Sequence, residues 1–209
     1  MIEHIRVTPE KCRACRRCEV ACIAAHHNMS FKEAMKHRDT LVARVQVIKA
    51  DGLKTTVRCH QCQPAPCCNV CPTGALQQQE DGRILFNEEL CIACEMCIRS
   101  CPYGTISMDA AAREVPAAEG EEAPALVAPG REVAVRCDMC HAWRIENGKK
   151  ITACMEACPV QALSMVLPDG TVVEPPMPEK KAVGEKKPVG EKTEAAAPKA
   201  AAAEAHAQA

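Results

Sequence analysis

Large aromatic side chains are scarce in this chain of 209 residues, which has only Trp143, Tyr103, Phe31 and Phe86. Its apolar fraction of 47% is inflated by alanine and cysteine, whereas a domain of this size usually buries many more bulky side chains. The composition therefore excludes an ordinary enzyme built around a hydrophobic core. Some interaction other than aromatic packing must stabilise the fold.

Segments for membrane insertion and export are also lacking. No run of about 18 apolar residues occurs. The first residues show neither the charged segment, apolar stretch and cleavage site of an export signal nor a twin-arginine pair. We therefore expect a cytoplasmic protein with no direct membrane span. Because cytosolic thiols stay reduced, its cysteines are expected to bind metal.

Motifs of the common enzyme classes are absent as well. The chain has no glycine fingerprint for nucleotides, no P-loop and no C-x3-C-x2-C arrangement of a radical enzyme. His26, His27, His60 and His141 lie close to cysteines, but cysteines fill the ligand positions, so these histidines are expected behind the ligands or at the surface. No catalytic residue and no nucleic-acid partner are predicted.

Cysteine is the residue that the chain has in excess, with 17 copies. Sixteen of them fall into four groups of four. The first and third groups have the C-x2-C-x2-C-x3-C spacing of bacterial two-cluster ferredoxins, and a proline follows the last cysteine of groups two, three and four. The groups are Cys12, Cys15, Cys18 and Cys22; Cys59, Cys62, Cys67 and Cys71; Cys91, Cys94, Cys97 and Cys101; and Cys137, Cys140, Cys154 and Cys158. The extra thiol is Cys67 or Cys68.

This spacing favours iron-sulfur clusters over zinc or disulfides. Two-residue gaps let three thiolates converge on one [4Fe-4S] cluster, while the fourth cysteine reaches the neighbouring cluster. The groups therefore work in pairs and predict four [4Fe-4S] clusters, with iron as the metal. Zinc ribbons need two C-x2-C pairs separated by about 15 to 20 residues, and cysteines so close in sequence are difficult to join by disulfides.

The segments between the cysteines predict short helices and strands. A repeated unit is expected, in which a strand leads into a cysteine loop, and Cys-Pro then begins a short helix. Residues 23–38 are predicted to form a helix, and residues 41–57 a hairpin that turns at Asp51-Gly52. Asn147-Gly148 predicts a second small hairpin over residues 145–151, with Trp143 as a packing residue beside it. Asp81-Gly82 predicts a turn before a strand.

The formal net charge of −1 understates the acidity of the loaded protein. Each oxidised cluster with four thiolates contributes roughly −2, so four clusters would bring the total to about −9. Arg13, Arg16 and Arg17 lie between the cysteines of the first group. They raise the reduction potential of that cluster above the one near Glu95 in the third group, or form a solvated basic patch with little effect on it, or dock an acidic partner.

These groups, in this order, resemble the four-cluster ferredoxin-type electron-transfer subunits of anaerobic oxidoreductases. That family includes the iron-sulfur subunits of DMSO reductase-like enzymes, the small subunits of formate hydrogenlyase and hydrogenase-4, and the CooF type that serves carbon monoxide dehydrogenase. The resemblance spans about Pro9 to Leu167. It implies an α+β fold of tandem bacterial 2[4Fe-4S] ferredoxin-like domains, in which groups one and four pair, as do groups two and three.

The resemblance also implies the ligands, with Cys67 rather than Cys68 as the ligand and Cys68 as a spare thiol. Cluster 1 is expected at Cys12, Cys15, Cys18 and Cys158; cluster 2 at Cys137, Cys140, Cys154 and Cys22; cluster 3 at Cys59, Cys62, Cys67 and Cys101; and cluster 4 at Cys91, Cys94, Cys97 and Cys71. The expected regions are 1–58 (the first group with a helix and hairpin insertion, paired with 134–167), 59–109 (a two-cluster domain), 110–133 (a low-complexity insertion), 134–173 (the fourth group) and 174–209 (a disordered tail).

Three functions remain open. The first is an electron-transfer subunit, not itself an enzyme, between a catalytic oxidoreductase of the carbon monoxide dehydrogenase, hydrogenase or formate dehydrogenase type and an acceptor protein. The second is a free polyferredoxin. The third is a non-redox assembly module in which metal only stabilises a docking surface.

Overall fold

The computed structural model describes residues 3–110 and 132–176. Within them, six short α-helices and nine short strands are interspersed along the chain, which agrees with an α+β fold. The helices are α1 (Arg17–His26), α2 (Phe31–Lys36), α3 (Pro66–Asn69), α4 (Met96–Ser100), α5 (His141–Glu146) and α6 (Ala153–Glu156); the strands are β1 (His4–Val7), β2 (Val45–Ala50), β3 (Leu53–Arg58), β4 (Leu76–Gln78), β5 (Ile84–Phe86), β6 (Ser107–Ala110), β7 (Glu132–Val135), β8 (Leu163–Val166) and β9 (Val172–Val173). None of these helices is long and apolar enough to span a membrane.

The strands form four small antiparallel sheets. Three are two-stranded, β2 with β3, β4 with β5 and β6 with β7, and the fourth has the order β1-β8-β9. In that sheet His4 lies opposite Val166 and Val7 opposite Leu163, so the strand before the first cysteine group pairs with the strand after the fourth. The sheets are too small to be stable alone, and they depend on what packs between them.

Proline decides where the cysteine-bearing helices end. Proline removes a backbone donor and disfavours helical geometry in the residue before it, and α3, α4 and α6 all end before the Cys-Pro step of their groups. The first group has Ile23 in place of that proline, and α1 runs on through Cys22 to His26. The prediction that a helix follows Cys-Pro is therefore wrong, because the helix precedes it.

A tight turn follows each Cys-Pro step. The third residue after the cysteine has a positive φ in all three cases: Gly74 at 67°, Gly104 at 59° and Gln161 at 49°. Its N–H donates to the carbonyl of the cysteine at 3.2 to 3.4 Å. The turn sends the chain into β4, β6 or β8, so the internal repeat seen in the sequence also exists in the backbone.

The helix predicted for residues 23–38 is divided in two. Helix α1 ends at His26, and Asn28 has a φ of 47°, a left-handed geometry that breaks a helix. Helix α2 then begins afresh, with the Ser30 hydroxyl accepting a hydrogen bond from the Glu33 N–H at 3.2 Å. This is an ordinary N-cap.

Two predicted hairpins have opposite outcomes. Asp51 and Gly52, with φ of 46° and 83°, connect β2 to β3 as the sequence predicted, although β2 begins at Val45 rather than at residue 41. The hairpin predicted over residues 145–151 is wrong. Gly148 instead ends α5. Its N–H donates to the Ile145 carbonyl and the Lys149 N–H donates to the Arg144 carbonyl, as in a Schellman motif.

Buried residues form two main cores, and each contains cysteines from only two of the four groups. The first core, between β1, α1, α6 and β8, includes cysteines of groups one and four, and the second includes cysteines of groups two and three. Their buried members are Ile5, Cys18, Cys22, Val45, Met139, Ile151, Cys154, Met155, Leu163 and Met165 in the first, and Ala65, Cys67, Ala75, Leu76, Ile84, Cys91, Cys97, Ile106, Val133 and Ala134 in the second.

The predicted insertion and tail lie mostly outside the described residues. At the edges of these regions the structure corrects the boundaries. Glu132 and Val133, which were assigned to the insertion, belong to β7 and pair with β6. Pro175, which was assigned to the tail, is buried and accepts a hydrogen bond from the Gln161 amide. Pro175 therefore packs on the folded unit.

Candidate iron-sulfur sites

The cysteine loops share a strained backbone position. The residue before the second cysteine has a positive φ in every group: Ala14 at 52°, Gln61 at 51°, Ala93 at 56° and Met139 at 61°. None is glycine, so each pays a steric cost that the surrounding structure must outweigh. Left-handed residues in such loops turn successive N–H groups into one concavity, a known arrangement around anions and iron-sulfur clusters.

Cysteines of groups two and three meet beside Tyr103. Burial raises the pKa of Cys62, and the negative charges of Cys59 and Cys101 raise it further. Burial also raises the pKa of Cys67, and the same two cysteines add to that effect. The ring of His60, next to Cys59, stacks on Tyr103 with centroids 3.8 Å apart and an angle of 11°. The structure thus brings together the four cysteines expected at cluster 3.

The cysteines expected at cluster 2 lie around Cys22, which belongs to the first core together with Cys154. Cys22 is fully buried, which raises its pKa well above the ordinary value, and the next contributions come from Cys140, Cys137 and Cys154. The Cys22 sulfur accepts a hydrogen bond from the Arg44 N–H at 3.3 Å. Burial raises the pKa of Cys137 to about 12, with Cys154 as the next cause.

The cysteines expected at cluster 4 line one cavity. Cys71, Cys91, Cys94 and Cys97 face it, and Leu76, Phe86 and Met108 are among its apolar walls. Burial would raise the pKa of Cys71, but hydrogen bonds from Leu76, Thr73 and Ala75 outweigh it and lower the pKa. The turn after Cys71-Pro72 therefore aims donors at the sulfur.

The cysteines expected at cluster 1 are gathered less closely. Burial raises the pKa of Cys18 to about 12, followed by the charges of Cys154 and Glu19, with a smaller contribution from Cys15. Cys158 packs against the core that contains Cys18, and its sulfur accepts from the Ala162 N–H at 3.3 Å. Cys12 accepts a weak hydrogen bond from the Ala14 N–H at 3.5 Å.

These donor sets fit [4Fe-4S] clusters. None of the 17 cysteines forms a disulfide, and most of the buried ones have raised pKa values, so their thiolates need a positive partner. The iron of a cluster supplies that charge, and a bound cluster also supplies reversible one-electron transfer. The concave loops and the sulfur-directed N–H groups are what a negatively charged cluster requires. The residues present therefore fit the group.

A polar network that sequence reasoning missed lies behind the cluster 2 cysteines. Asp138 accepts from the Cys140 N–H at 2.9 Å, lies 2.9 Å from His26 Nε2 and pairs with Arg44 at 2.8 Å. Burial raises the pKa of Asp138, but His26 and Arg44 outweigh it and hold the pKa well below its usual range. The ionised carboxylate thus ties α1 and the segment before β2 to the fourth group.

The arginines of the first group lie at the surface. Arg13, Arg16 and Arg17 are all exposed. Arg16 is 3.9 Å from Glu19, and Arg17 lies over the Phe31 ring at 5.4 Å. Solvent screens exposed charges strongly, so this placement argues against the tuning of a cluster potential by these arginines.

Cys67 and Cys68 provide a matched pair for mutation. Cys67 is buried, and the cysteine charges that raise its pKa are those of Cys59 and Cys101, from the cluster 3 set. Burial also raises the pKa of Cys68, but the cysteine charges that add to this effect are those of Cys67 and Cys71. We expect Cys67→Ala to reduce bound iron by about one cluster per chain and Cys68→Ala to leave it unchanged. Iron and sulfide analysis of the two purified variants makes the comparison. Iron loss confined to Cys68→Ala would reverse the assignment.

Comparison with known proteins supports the binding of 4Fe-4S clusters. A model of the 4Fe-4S dicluster domain matches residues 50–122, which contain groups two and three. An iron-sulfur protein of Rhodospirillum rubrum is 39% identical over 78% of this chain and 80% of its own length. Electron transport protein HydN of Escherichia coli K12 is 37% identical over 75% of this chain and 83% of its own length. Hydrogenase-4 component A of the same organism is 35% identical over 77% of this chain and 80% of its own length. The chain therefore belongs to this family of ferredoxin-type iron-sulfur electron-transfer proteins.

Proposed function

We propose that this protein carries four [4Fe-4S] clusters in two ferredoxin-like pairs and passes electrons along them. The observation that carries the proposal is the division of the core cysteines, because the cysteines in the first core come only from groups one and four and those in the second core only from groups two and three. Helix α1 also packs on α6, and α3 on α4. The proposed ligands are Cys12, Cys15, Cys18 and Cys158 for cluster 1; Cys137, Cys140, Cys154 and Cys22 for cluster 2; Cys59, Cys62, Cys67 and Cys101 for cluster 3; and Cys91, Cys94, Cys97 and Cys71 for cluster 4.

The charges that the cysteines exert on one another support a linear order of clusters. Cys154 of the cluster 2 set acts on Cys18 of the cluster 1 set. The charge of Cys59, from the cluster 3 set, raises the pKa of Cys137. The charge of Cys67 likewise raises the pKa of Cys97, from the cluster 4 set. On these neighbours we propose the order 1, 2, 3, 4.

The two ends of this series are the points of electron entry and exit. Cys15 and Cys94 are the two exposed cysteines of the 17, and they belong to the proposed clusters 1 and 4. Leu90, Ile92 and Met96 are exposed around Cys94, which suits a partner with an apolar face. The arginines around Cys15 suit an acidic partner.

The proposed partners are a catalytic oxidoreductase and a redox acceptor protein in the cytoplasm. The relatives include hydrogenase-4 component A, which supports a hydrogenase-type oxidoreductase as the donor or recipient; the formate dehydrogenase and carbon monoxide dehydrogenase types are proposed from the resemblance of the cysteine groups alone. The protein itself is proposed to be an electron carrier rather than an enzyme.

Anaerobic purification tests the proposal directly. We expect about 16 iron and 16 sulfide per chain, and reduction by dithionite should produce EPR signals of several interacting [4Fe-4S] clusters. Iron and sulfide near half that amount would contradict the cluster count. Clusters that cannot be reduced would contradict electron transfer.

The alternatives make different predictions. A non-redox module held by metal has one supporting observation, since ligand atoms of His26, Asp138 and Cys140 lie within 4.8 Å of one another. It requires zinc or redox-silent metal in the purified protein. A free polyferredoxin would hold the same clusters but would not co-purify with an oxidoreductase from its native cell.

A further inference from the structure

Two arginines are buried in the interior. Arg58 and Arg136 are each 3% exposed, and each directly precedes the first cysteine of its group, Cys59 or Cys137. Within residues 3–110 and 132–176, neither guanidinium forms an ion pair with a carboxylate. The Nε–H of each is buried without a hydrogen-bond partner.

Each arginine belongs to one pair of groups and lies against the other pair. Arg58, from group two, donates to the Ile5 carbonyl in β1, and the charges that act on it come from Cys154, Cys137 and Cys18, and then from Cys59. Three of these four cysteines belong to the proposed clusters 1 and 2. Arg58 therefore reaches from its own group into the first core.

Arg136, from group four, makes the reverse crossing. It donates to the Ile84 carbonyl in β5 at 3.0 Å and to the Gln61 side chain at 3.1 Å. Its charge acts on Cys67 and Cys68. Gln61 returns to group four by donating to the Cys137 carbonyl at 3.0 Å. The two arginines thus lie between the inner clusters of the proposed series.

A buried guanidinium without an anion is unstable. Arginine remains protonated in proteins, and an uncompensated buried charge costs several kcal/mol. The anions that this part of the fold would hold are the clusters, each carrying roughly −2 when oxidised and more when reduced. A fixed cation beside a cluster favours its reduced form and raises its reduction potential.

We propose that Arg58 and Arg136 are internal counter-ions of the iron-sulfur clusters, with Arg58 acting mainly on cluster 2 and Arg136 on cluster 3. This inference rests on the proposed cluster ligands. It assigns to the two inner clusters a higher potential than they would have otherwise. It also assigns to the arginines a part in cluster loading, because negative clusters cannot be buried without compensating charge.

Charge-changing and charge-keeping variants test this assignment. Arg58→Met and Arg136→Met remove the charge but keep much of the volume, whereas Arg58→Lys and Arg136→Lys keep the charge and lose the planar hydrogen-bonding fork. A triple variant, Arg13→Gln with Arg16→Gln and Arg17→Gln, removes three surface charges as the control. Each protein is purified anaerobically, assayed for iron and sulfide, and titrated potentiometrically with EPR detection.

We expect Arg58→Met to lower the midpoint potential of one EPR component and Arg136→Met to lower that of another. Both lysine variants should keep midpoint potentials close to those of the parent protein, and the surface triple variant should shift the midpoint potential of neither component. Fully loaded methionine variants with unchanged potentials would overturn the proposal. A lysine variant that shifts as far as its methionine counterpart would also overturn it, because the hydrogen bonds and not the charge would then be responsible.

Loading gives a second, independent readout. If a methionine variant fails to retain clusters, the proposal requires the lysine variant to restore the iron content. Loss of iron in both would identify the arginine as a structural tie and overturn the counter-ion role. The proposed function fails separately, if the parent protein itself contains no reducible [4Fe-4S] clusters.

Discussion

Removal of iron is expected to unfold most of this chain. Three of the ten buried members of each core are cysteines and none is aromatic, and the sheets around them have only two or three short strands. Cluster ligation therefore supplies much of the folding free energy. Its loss should exceed the net stability of about 5–15 kcal/mol that is typical of domains. Anaerobic chelation followed by far-UV circular dichroism and amide hydrogen exchange measures the effect.

The pair β1 and β8 is the most informative reporter in that experiment. It closes the first core over Cys18, Cys22 and Cys154, and its two strands are far apart in the sequence, unlike those of the hairpin of β2 and β3. Addition of iron and sulfide to the chelated protein should restore protection of the β1 and β8 amides. A chelated chain that keeps this protection and melts cooperatively would contradict the dependence of the fold on clusters.

Much of the site was predictable because cysteine spacing constrains the loop directly. The same positive φ at Ala14, Gln61, Ala93 and Met139 follows from the need to converge thiolates and N–H groups on one centre. The extent of α1 also follows from the sequence once the lack of a proline after Cys22 is noted. Where proline follows the fourth cysteine, the helix must end before it.

Asn147-Gly148 shows why local sequence was not sufficient elsewhere. The pair suits a two-residue hairpin turn, and its Gly suits the end of a helix equally well, because both need a positive φ. Here Trp143 decides between them by packing against Ala21, Cys140 and Ala153, which requires α5. That contact joins residues of groups one and four and is invisible in a short window of sequence.

The arginines show a second limit. Because Arg13, Arg16 and Arg17 lie between cysteines in the sequence, an effect on a cluster potential was one prediction for them, yet all three are exposed. Arg58 and Arg136 are buried, although charged residues are rarely buried without a partner. The signal available was the Arg-Cys step that begins groups two and four, and its meaning depends on a fold that brings each arginine to the opposite pair of groups.

Cys18 and Cys22 are expected to affect different clusters although they lie one turn apart on α1. We expect Cys22→Ser to alter the same EPR component as Cys154→Ser, and Cys18→Ser to alter the same component as Cys15→Ser and Cys158→Ser. The reason is that Cys22 is surrounded by Cys140, Cys137 and Cys154, while Cys158 packs against the core beside Cys18. Serine is a poorer ligand, so each variant should lose or change one cluster of the four.

Cys68→Ser is the control in this series, because its side chain is not among the proposed ligands and its loss should leave all components unchanged. The decisive comparison is between Cys158→Ser and Cys154→Ser, four residues apart in group four. If both change the same component, the fourth group holds one cluster by itself and the crossed ligation is wrong. If they change different components, each shared with one cysteine of α1, groups one and four jointly hold two clusters, and Cys22 and Cys158 each reach across to the neighbouring group.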